Sequence, residues 1–381
     1  MPLALYPLAL AVFAMGTSEF MLAGLLPDIA SDLGVTAGTA GLLTSAFATG
    51  MVVGAPLMAV LARDRPGRSS LLGFVLLCAA AHAAGATATG FPLLFATRVV
   101  AALANAGFLA VALTTATALV PPDRKGRALA VLLSGTTAAT IAGVPAGSVL
   151  GTLLGWRATF WAVAALCLPA AAGILRAVPA RPAKKGTAGG LRAELAQLRR
   201  PRLLLVMLLG ALVNAATFAS FTFLAPVVTG TAGLGDLWVS VALMLFGAGS
   251  LAGVGVAGRL SDRRPGLVLA VAGPALLAGW PALAVLAHLP VALLVLVFVQ
   301  GALSFALGST LMTRVLHEAA DAPTMAGSYA TAALNAGAAA GPLVAAAALA
   351  GTDLGPLWAS GALVAVALLV AVPFRAVTAP D

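Results

Sequence analysis

Glu19 sits in the stretch MGTSEF, well inside an apolar run that starts near residue 5. A charged group at the centre of a membrane helix costs about 2.5–3.5 kcal/mol on insertion scales, and a carboxyl avoids much of that cost by holding a proton. A carboxyl that gains and loses its proton as water reaches it is what proton coupling requires. The alternative is a structural carboxyl, hydrogen-bonded to Thr17, Ser18 or a neighbouring helix. Arg98 is the second charge of this kind, six residues into the fourth apolar run. A guanidinium stays charged, so it needs a counter-charge, carbonyls or a water-filled cavity. Glu19 is the only carboxyl similarly placed, which makes a Glu19–Arg98 coupling, direct or through water, the expectation. The alternative is an arginine that snorkels to an interface. His82 and His288 also lie in or near apolar runs, with a weaker claim to a coupling role.

Two further patterns concern movement rather than charge. Gly143, Gly147, Gly151 and Gly155 recur every four residues, with Pro145 among them. On a helix this spacing draws a narrow stripe that drifts about 40° per step. Helices approach closely over such a stripe, while Pro145 removes a backbone bond and bends the helix. Close packing is part of the reading; stripe and bend together suggest a helix that rocks or seals. Asp64, Arg65, Pro66, Gly67 and Arg68 form an acidic–basic–glycine loop, echoed by Gly258 to Gly266 around Asp262, Arg263 and Arg264. A carboxylate beside arginines at a tight turn can latch onto a helix terminus. A charged turn that serves topology alone is the alternative.

The elements that must carry these residues follow from composition. Hydrophobic residues make up 61% of the 381-residue chain and charged residues 9%, against about 25% charged in soluble domains. No water-facing surface can be assembled from that, so the chain spans a membrane several times. The net charge of +9 sits in short loops between apolar runs, which reads as topology and not as a nucleic-acid surface. Cys78 and Cys167 each lie inside an apolar run, so neither a disulfide framework nor a metal site is readable. The phosphate loop G-x-x-x-x-G-K-[ST] is absent, and no cofactor is expected. The start, MPLALYPLAL, has no basic segment and reads as an uncleaved first helix.

A membrane helix takes about 20 apolar residues. Breaks at charges, prolines and glycines give twelve spans: roughly 5–26, 38–61, 70–88, 92–119, 128–153, 158–176, 203–229, 237–258, 267–287, 291–313, 325–349 and 355–374. With the N-terminus inside, 19 of the 21 Lys and Arg residues fall on the cytoplasmic side, while Asp28, Asp32, Asp236 and Asp353 fall outside. The positive-inside rule then places both termini in the cytoplasm. The stretch from Arg176 to Arg202 holds 8 of those basic residues against one acid, Glu194. Within it Leu191, Leu195 and Leu198 fall on one face of a short basic helix, suited to an anionic bilayer surface or simply part of a solvated linker.

The two halves also repeat. Phe47-x-x-Gly50-x-x-x-Gly54 recurs as Phe246-x-x-Gly249-x-x-x-Gly253, an offset of 199 that also carries Pro27 to Pro226 and Gly34 to Gly233. Repeats of this kind build alternating-access transporters, with the substrate near the midplane between them. The expected fold is an all-α polytopic membrane protein, with twelve transmembrane helices in two pseudo-symmetric six-helix bundles. The bundles cover 1–178 and 202–381, joined by a cytoplasmic basic linker at 179–201. Candidate cavity residues are mostly apolar with a few amides: Asn105, Asn214, Gln300 and Asn335 among Phe218, Phe221 and Tyr329. A nutrient importer would offer more polar groups to hydroxyls, and a membrane sensor would need a soluble domain.

Taken together, the loop after the second span, its echo, the arginine of the fourth span and the glycine–proline fifth span resemble the major facilitator superfamily. The resemblance is to its twelve-span drug:proton antiporters, over nearly the whole length. TSEFMLAGLLPDIASDLGV and GVPAGSVLGTLLGWRATF look like the bacterial efflux branch. MGTSEFMLAGLLPDIA, AALANAGFLAVAL and GSYATAALNAGAAAGP look like its chloramphenicol-resistance exporters. The resemblance implies Glu19 in proton or substrate binding, Arg98 in proton coupling, and Gly143, Pro145, Gly147 and Gly151 in the antiporter signature. It also implies an inner gate of Asp64 and Arg65, with Gly67, Arg68, Asp262 and Arg263 in the same paired loops. Two positions depart from the pattern: Val60 stands where the family prefers glycine, and Ala101-Ala102 follow the arginine where Gln-Gly is usual. The implied activity is proton-driven export of chloramphenicol or related phenicols across the cell membrane by a monomer, with no catalysis. The alternative is a broader multidrug, sugar or metabolite permease of the same fold.

Overall fold

The computed structural model describes residues 2–61, 66–121, 125–180, 191–261, 265–322, 325–350 and 352–371. Asp64, Arg65, Asp262 and Arg263 of the expected gate lie outside the described residues.

The first half begins with α1 (Leu5–Phe20), which continues through a tighter turn at Met21–Gly24 into the short α2 (Leu26–Leu33). Then come α3 (Ala37–Leu61), α4 (Gly67–Ala86) and α5 (Phe91–Ala118). The fifth span is made of α6 (Lys125–Ala138) and α7 (Val144–Leu154), and α8 (Trp156–Ala177) completes the half. The linker holds α9 (Leu191–Ala196). The second half runs α10 (Pro201–Thr222), the single turn α11 (Leu224–Pro226), α12 (Leu237–Ser261) and α13 (Pro265–Leu286). It ends with α14 (Pro290–Glu318), α15 (Ala326–Leu349) and α16 (Gly355–Ala371).

Among the described residues, eleven stretches are long and apolar enough to cross a membrane, and α16 is a shorter apolar helix of 17 residues. Large side chains such as Leu153, Val291 and Leu369 point outward and stay exposed. Lipid is the environment in which that exposure costs little, and helices satisfy their own backbone groups there.

The repeat has a physical basis in packing. A Cβ at Gly50 or Gly54 would press on Ala102 and Ala106 of α5. A Cβ at Gly249 or Gly253 would press on the Phe298 and Ala302 carbonyls of α14. The glycine pair thus lets the second helix of each half lie against the fourth. Gly34 and Gly233, related by the same offset, share a left-handed backbone, φ 64° and 65°, which glycine adopts without strain.

The fifth span stays helical through its proline but widens just ahead of it. Residues Ala139–Gly143 form a wide π-helical turn, and Pro145 falls in the first turn of α7. Proline has no N–H to continue the ladder, and one extra residue per turn is a common way for a helix to absorb that defect. The glycine stripe is shared between neighbours: Gly143 faces Thr17 and Phe13 of α1, and Gly151 faces Leu25 just ahead of α2. Gly147 instead meets Thr159 of α8, 3.0 Å from where its Cβ would stand. The wide turn meets the other half, where Gly247 of α12 packs on the Thr140 carbonyl. The halves also touch along α3 and α15, where Ser45 donates to the Ala339 carbonyl at 2.8 Å.

In the linker, Leu195 is exposed and Leu198 packs partly buried against the second half's core, while Glu194, the one acid of the basic stretch, is buried. Its carboxylate accepts the Met325 N–H at 2.9 Å, just ahead of α15. Its carbonyl accepts the Tyr329 hydroxyl at 2.8 Å. Arg200 pairs with Asp321 at 2.9 Å. A side-chain oxygen at a helix N-terminus contributes about 0.5–2 kcal/mol. Glu194→Ala is therefore expected to lower the melting temperature in detergent, with Glu194→Gln recovering part of the loss. Equal melting of all three proteins would refute the capping role.

Candidate functional site

Glu19 lies in the last turn of α1, half-buried, and its Oε2 accepts a hydrogen bond from Asn105 Nδ2 of α5 at 3.4 Å. Arg98 lies about two helix turns before Asn105 on α5 and is buried, 1% exposed, so it does not snorkel. It donates from one guanidinium nitrogen to the Ser18 hydroxyl at 3.0 Å and from another to the Ser18 carbonyl at 2.7 Å. Its flat face rests on the Phe47 ring, 4.6 Å from the centroid, where the ring's negative face favours a cation. Among the described residues no carboxylate lies within ion-pairing distance of Arg98. Glu19 and Arg98 are thus brought to adjacent residues of α1 without a direct ion pair.

His82 joins this cluster from α4, with Nε2 2.7 Å from the Ser18 hydroxyl and Nδ1 2.8 Å from the Cys78 carbonyl. A lone histidine in an apolar run carries no spacing signal, so only these contacts tie it to the cluster.

Beside Glu19, Phe20 enters a narrow apolar cavity between the halves, with room for about one water molecule. Phe218, Phe221, Phe246 and Phe305 supply the second half's walls, and Thr140 and Val144 of the widened span supply the first half's. Phe20 stacks on Phe218 at 5.8 Å, and Phe221 lies 4.9 Å from Phe246. Thr140, Thr217 and Ser250 bring the few hydroxyls. Phe47 and Phe246 head the two copies of the repeat, so one motif position carries the arginine in the first half and lines the cavity in the second.

Of the expected cavity residues, Phe218 and Phe221 line it. Gln300 belongs to a neighbouring cavity that shares Phe221 and Phe246. Asn105 turns to Glu19, Asn214 to the Leu334 carbonyl at 2.6 Å and Asn335 to Thr331 of its own helix at 3.0 Å. Tyr329 points at the linker helix. Phe20 and Phe305 were not anticipated; adjacency to Glu19 was the available signal for Phe20. Gly67 faces Thr115 of α5.

At the end of the bundle where α2 lies, Arg157 bonds Asp32 at 2.5 Å and the Ala88 carbonyl at 3.0 Å. The hydrogen bond from Arg157 holds the Asp32 carboxyl below its usual range. Asp28 goes the other way, raised by burial and then by the charge of Asp236 across the two halves.

A membrane protein with eleven spans and a shorter apolar helix, in two repeated halves around a central cavity, with a half-buried acid and a buried arginine in one of them, is built as a transporter. The sequence pattern of the Major Facilitator Superfamily matches residues 8–342, and the chain belongs to that family. It is 79% identical to the "Chloramphenicol resistance protein" of Streptomyces lividans, across 99% of this chain and 97% of that one. It is 33% identical to the "Inner membrane transport protein YdhP" of Escherichia coli (strain K12), over 87% of this chain and 85% of that one. In fold it resembles a bacterial homologue of the human lysosomal transporter Spinster, with TM-score 0.75, 16% identity, and 98% and 96% of the two chains covered.

Proposed function

We propose that this chain exports chloramphenicol or close phenicol relatives from the cell, exchanging the drug for protons through Glu19. The observation that carries this reading is a cavity between the halves with phenylalanine walls and few hydroxyls, narrow in this closed arrangement, directly beside the half-buried carboxyl of Glu19. Binding sites for drug-sized molecules combine apolar walls with a few placed polar groups. A neutral amphiphile with one aromatic ring, hydroxyls and an amide suits walls of Phe20, Phe218, Phe221, Phe246 and Phe305 with the hydroxyls of Thr140, Thr217 and Ser250. A cationic cargo would compete for Glu19, whereas a neutral one leaves it free to trade protons. The name of the Streptomyces lividans relative supports the same cargo. The cavity is enclosed by the two halves of one chain, which suits a monomer.

Expressed in a drug-sensitive host, the chain is expected to raise chloramphenicol tolerance severalfold and lower drug accumulation, with an uncoupler cancelling both effects. Unchanged tolerance despite confirmed membrane expression would reject the cargo. Exchange of one proton for one neutral molecule moves net charge, so export should respond to voltage as well as to pH.

The orientation proposed is both termini and the 179–201 linker in the cytoplasm of the cell that makes the protein. Cysteines introduced at Lys184 and Asp236 are then expected to react with impermeant reagents from opposite sides. Labelling from one side only would overturn this topology.

A further inference from the structure

His82 has no part in the exchange described so far, yet its hydrogen bonds dictate how Arg98 is held. The Cys78 carbonyl can only accept, so the proton of the ring stands on Nδ1, 2.8 Å away. Nε2 is then a bare acceptor, and the Ser18 hydroxyl at 2.7 Å must turn its hydrogen toward it. Arg98 can only donate, so it takes the lone pair that this rotation leaves, at 3.0 Å. Every hydrogen in the chain Arg98–Ser18–His82–Cys78 is thereby placed. His82 and Ser18 are each 1% exposed, so no bulk water is there to replace a missing partner.

The other groups around the ring leave this assignment intact. Phe160 of α8 lies against it with centroids 5.8 Å apart. The Cys78 thiol lies 3.6 Å from Nδ1, a weaker partner than the carbonyl at 2.8 Å, and it is free and buried like Cys167. The charged groups facing the cluster are Arg98 from α5 and Glu19 from α1.

We propose that His82 is a positioning residue for proton exchange: by fixing the Ser18 hydroxyl it parks Arg98 on Ser18 and off the neighbouring Glu19. The proposal rests on Glu19 being the exchanging carboxyl. A parked Arg98 is near enough to favour the released carboxylate but does not hold it in a closed ion pair. Without His82, the Ser18 hydroxyl turns to its own helix, as buried serines do toward the carbonyl four residues back. Where that turn carries the oxygen away from Arg98, the guanidinium loses one of the two bonds it makes to Ser18, and Glu19, the adjacent residue whose charge it already feels, is the anionic partner that can restore it. An ion pair formed there competes with the proton, so export needs a more acidic medium on the side from which protons enter.

Purified protein in liposomes, with chloramphenicol transport driven by an imposed pH gradient, tests this. His82→Leu is expected to move the pH of half-maximal transport at least one unit to the acid side. His82→Gln, whose amide oxygen can take the place of Nε2 and accept from Ser18, is expected to return it most of the way. Ser18→Ala, a smaller change that should insert even if His82→Leu does not, is expected to give the same acid shift. The double variant is expected to shift no further than either single one, because both break one chain of bonds. A wild-type midpoint in Ser18→Ala or His82→Leu would overturn the proposal, as would shifts that add in the double variant. A wild-type protein that transports without any dependence on the pH gradient would instead remove the proton-exchange reading itself.

Discussion

Replacing Glu19 by glutamine is expected to abolish uphill export while leaving the protein inserted and able to equilibrate drug down its gradient. Glutamine keeps the size of the side chain and can still accept from Asn105 Nδ2, the observed partner of Glu19, so the end of α1 should stay in place. What it lacks is a proton to release. Each proton that enters supplies about 2.3 kcal/mol per 100 mV, which at about 1.4 kcal/mol per tenfold sustains a roughly fiftyfold drug gradient. In Glu19→Gln that ratio is expected to fall to about one. The measurement is steady-state drug distribution in energised vesicles, with exchange of labelled for unlabelled drug as the control. A variant that still concentrates drug against its gradient would remove Glu19 from the mechanism; one that also fails exchange would point to a structural carboxyl.

Gly253→Ala is expected to cause a large loss of stability, and its repeat partner Gly54→Ala almost none. A methyl at position 253 would stand 2.7 Å from the Ala302 carbonyl carbon and 2.9 Å from its Cα, in the backbone of α14. A backbone cannot swing aside, so α12 and α14 must separate along their shared face. At position 54 the methyl meets Ala106 Cβ at 3.0 Å and the flexible tip of Leu103 at 3.2 Å. Overpacking of a tight contact costs about 1–3 kcal/mol or more. Alanine in place of glycine returns about 1 kcal/mol of helix propensity at either site. Gly54→Ala should therefore melt near the parent protein and Gly253→Ala well below it. Similar melting temperatures for the two would show that the asymmetry of the halves does not reach their stability.

The fold was legible because length and apolarity decide it. Twenty-residue runs broken by charges leave few alternatives once lipid is the solvent, and the repeated Phe-x-x-Gly-x-x-x-Gly motif packs the same way in both halves. The fifth span was harder. Pro145 announces a missing bond, but whether the helix bends or widens depends on the contacts around Thr140, which come from another helix. Site residues divided on the same ground. Glu19 and Arg98 stood out because a charge in an apolar run is rare whatever its partners. Phe305 did not, Phe246 stood out only as a repeat position and His82 only weakly, since a ring in such a run is the ordinary case until tertiary contacts show what it faces. The amides erred in the other direction: Asn214 and Asn335 are polar in an apolar run, yet both spend their donors on backbone carbonyls. Glu194 looked like the odd acid of a basic linker, and only the position of α15 shows why it is there.

The motif phenylalanine that cradles Arg98 in one half and lines the cavity in the other makes the molecule electrically lopsided. Glu19 and Arg98 lie deep in the first half, and the middle of every second-half span is free of ionisable side chains. An electric field across the bilayer therefore pulls on one bundle and scarcely on the other. As the halves rock, the first would act as the armature and the second as a passive dielectric wall that shapes the space around the drug. Arg98 keeps its charge throughout the cycle, so its displacement alone would register as a transient capacitive current, even with no drug present and Glu19 replaced by glutamine.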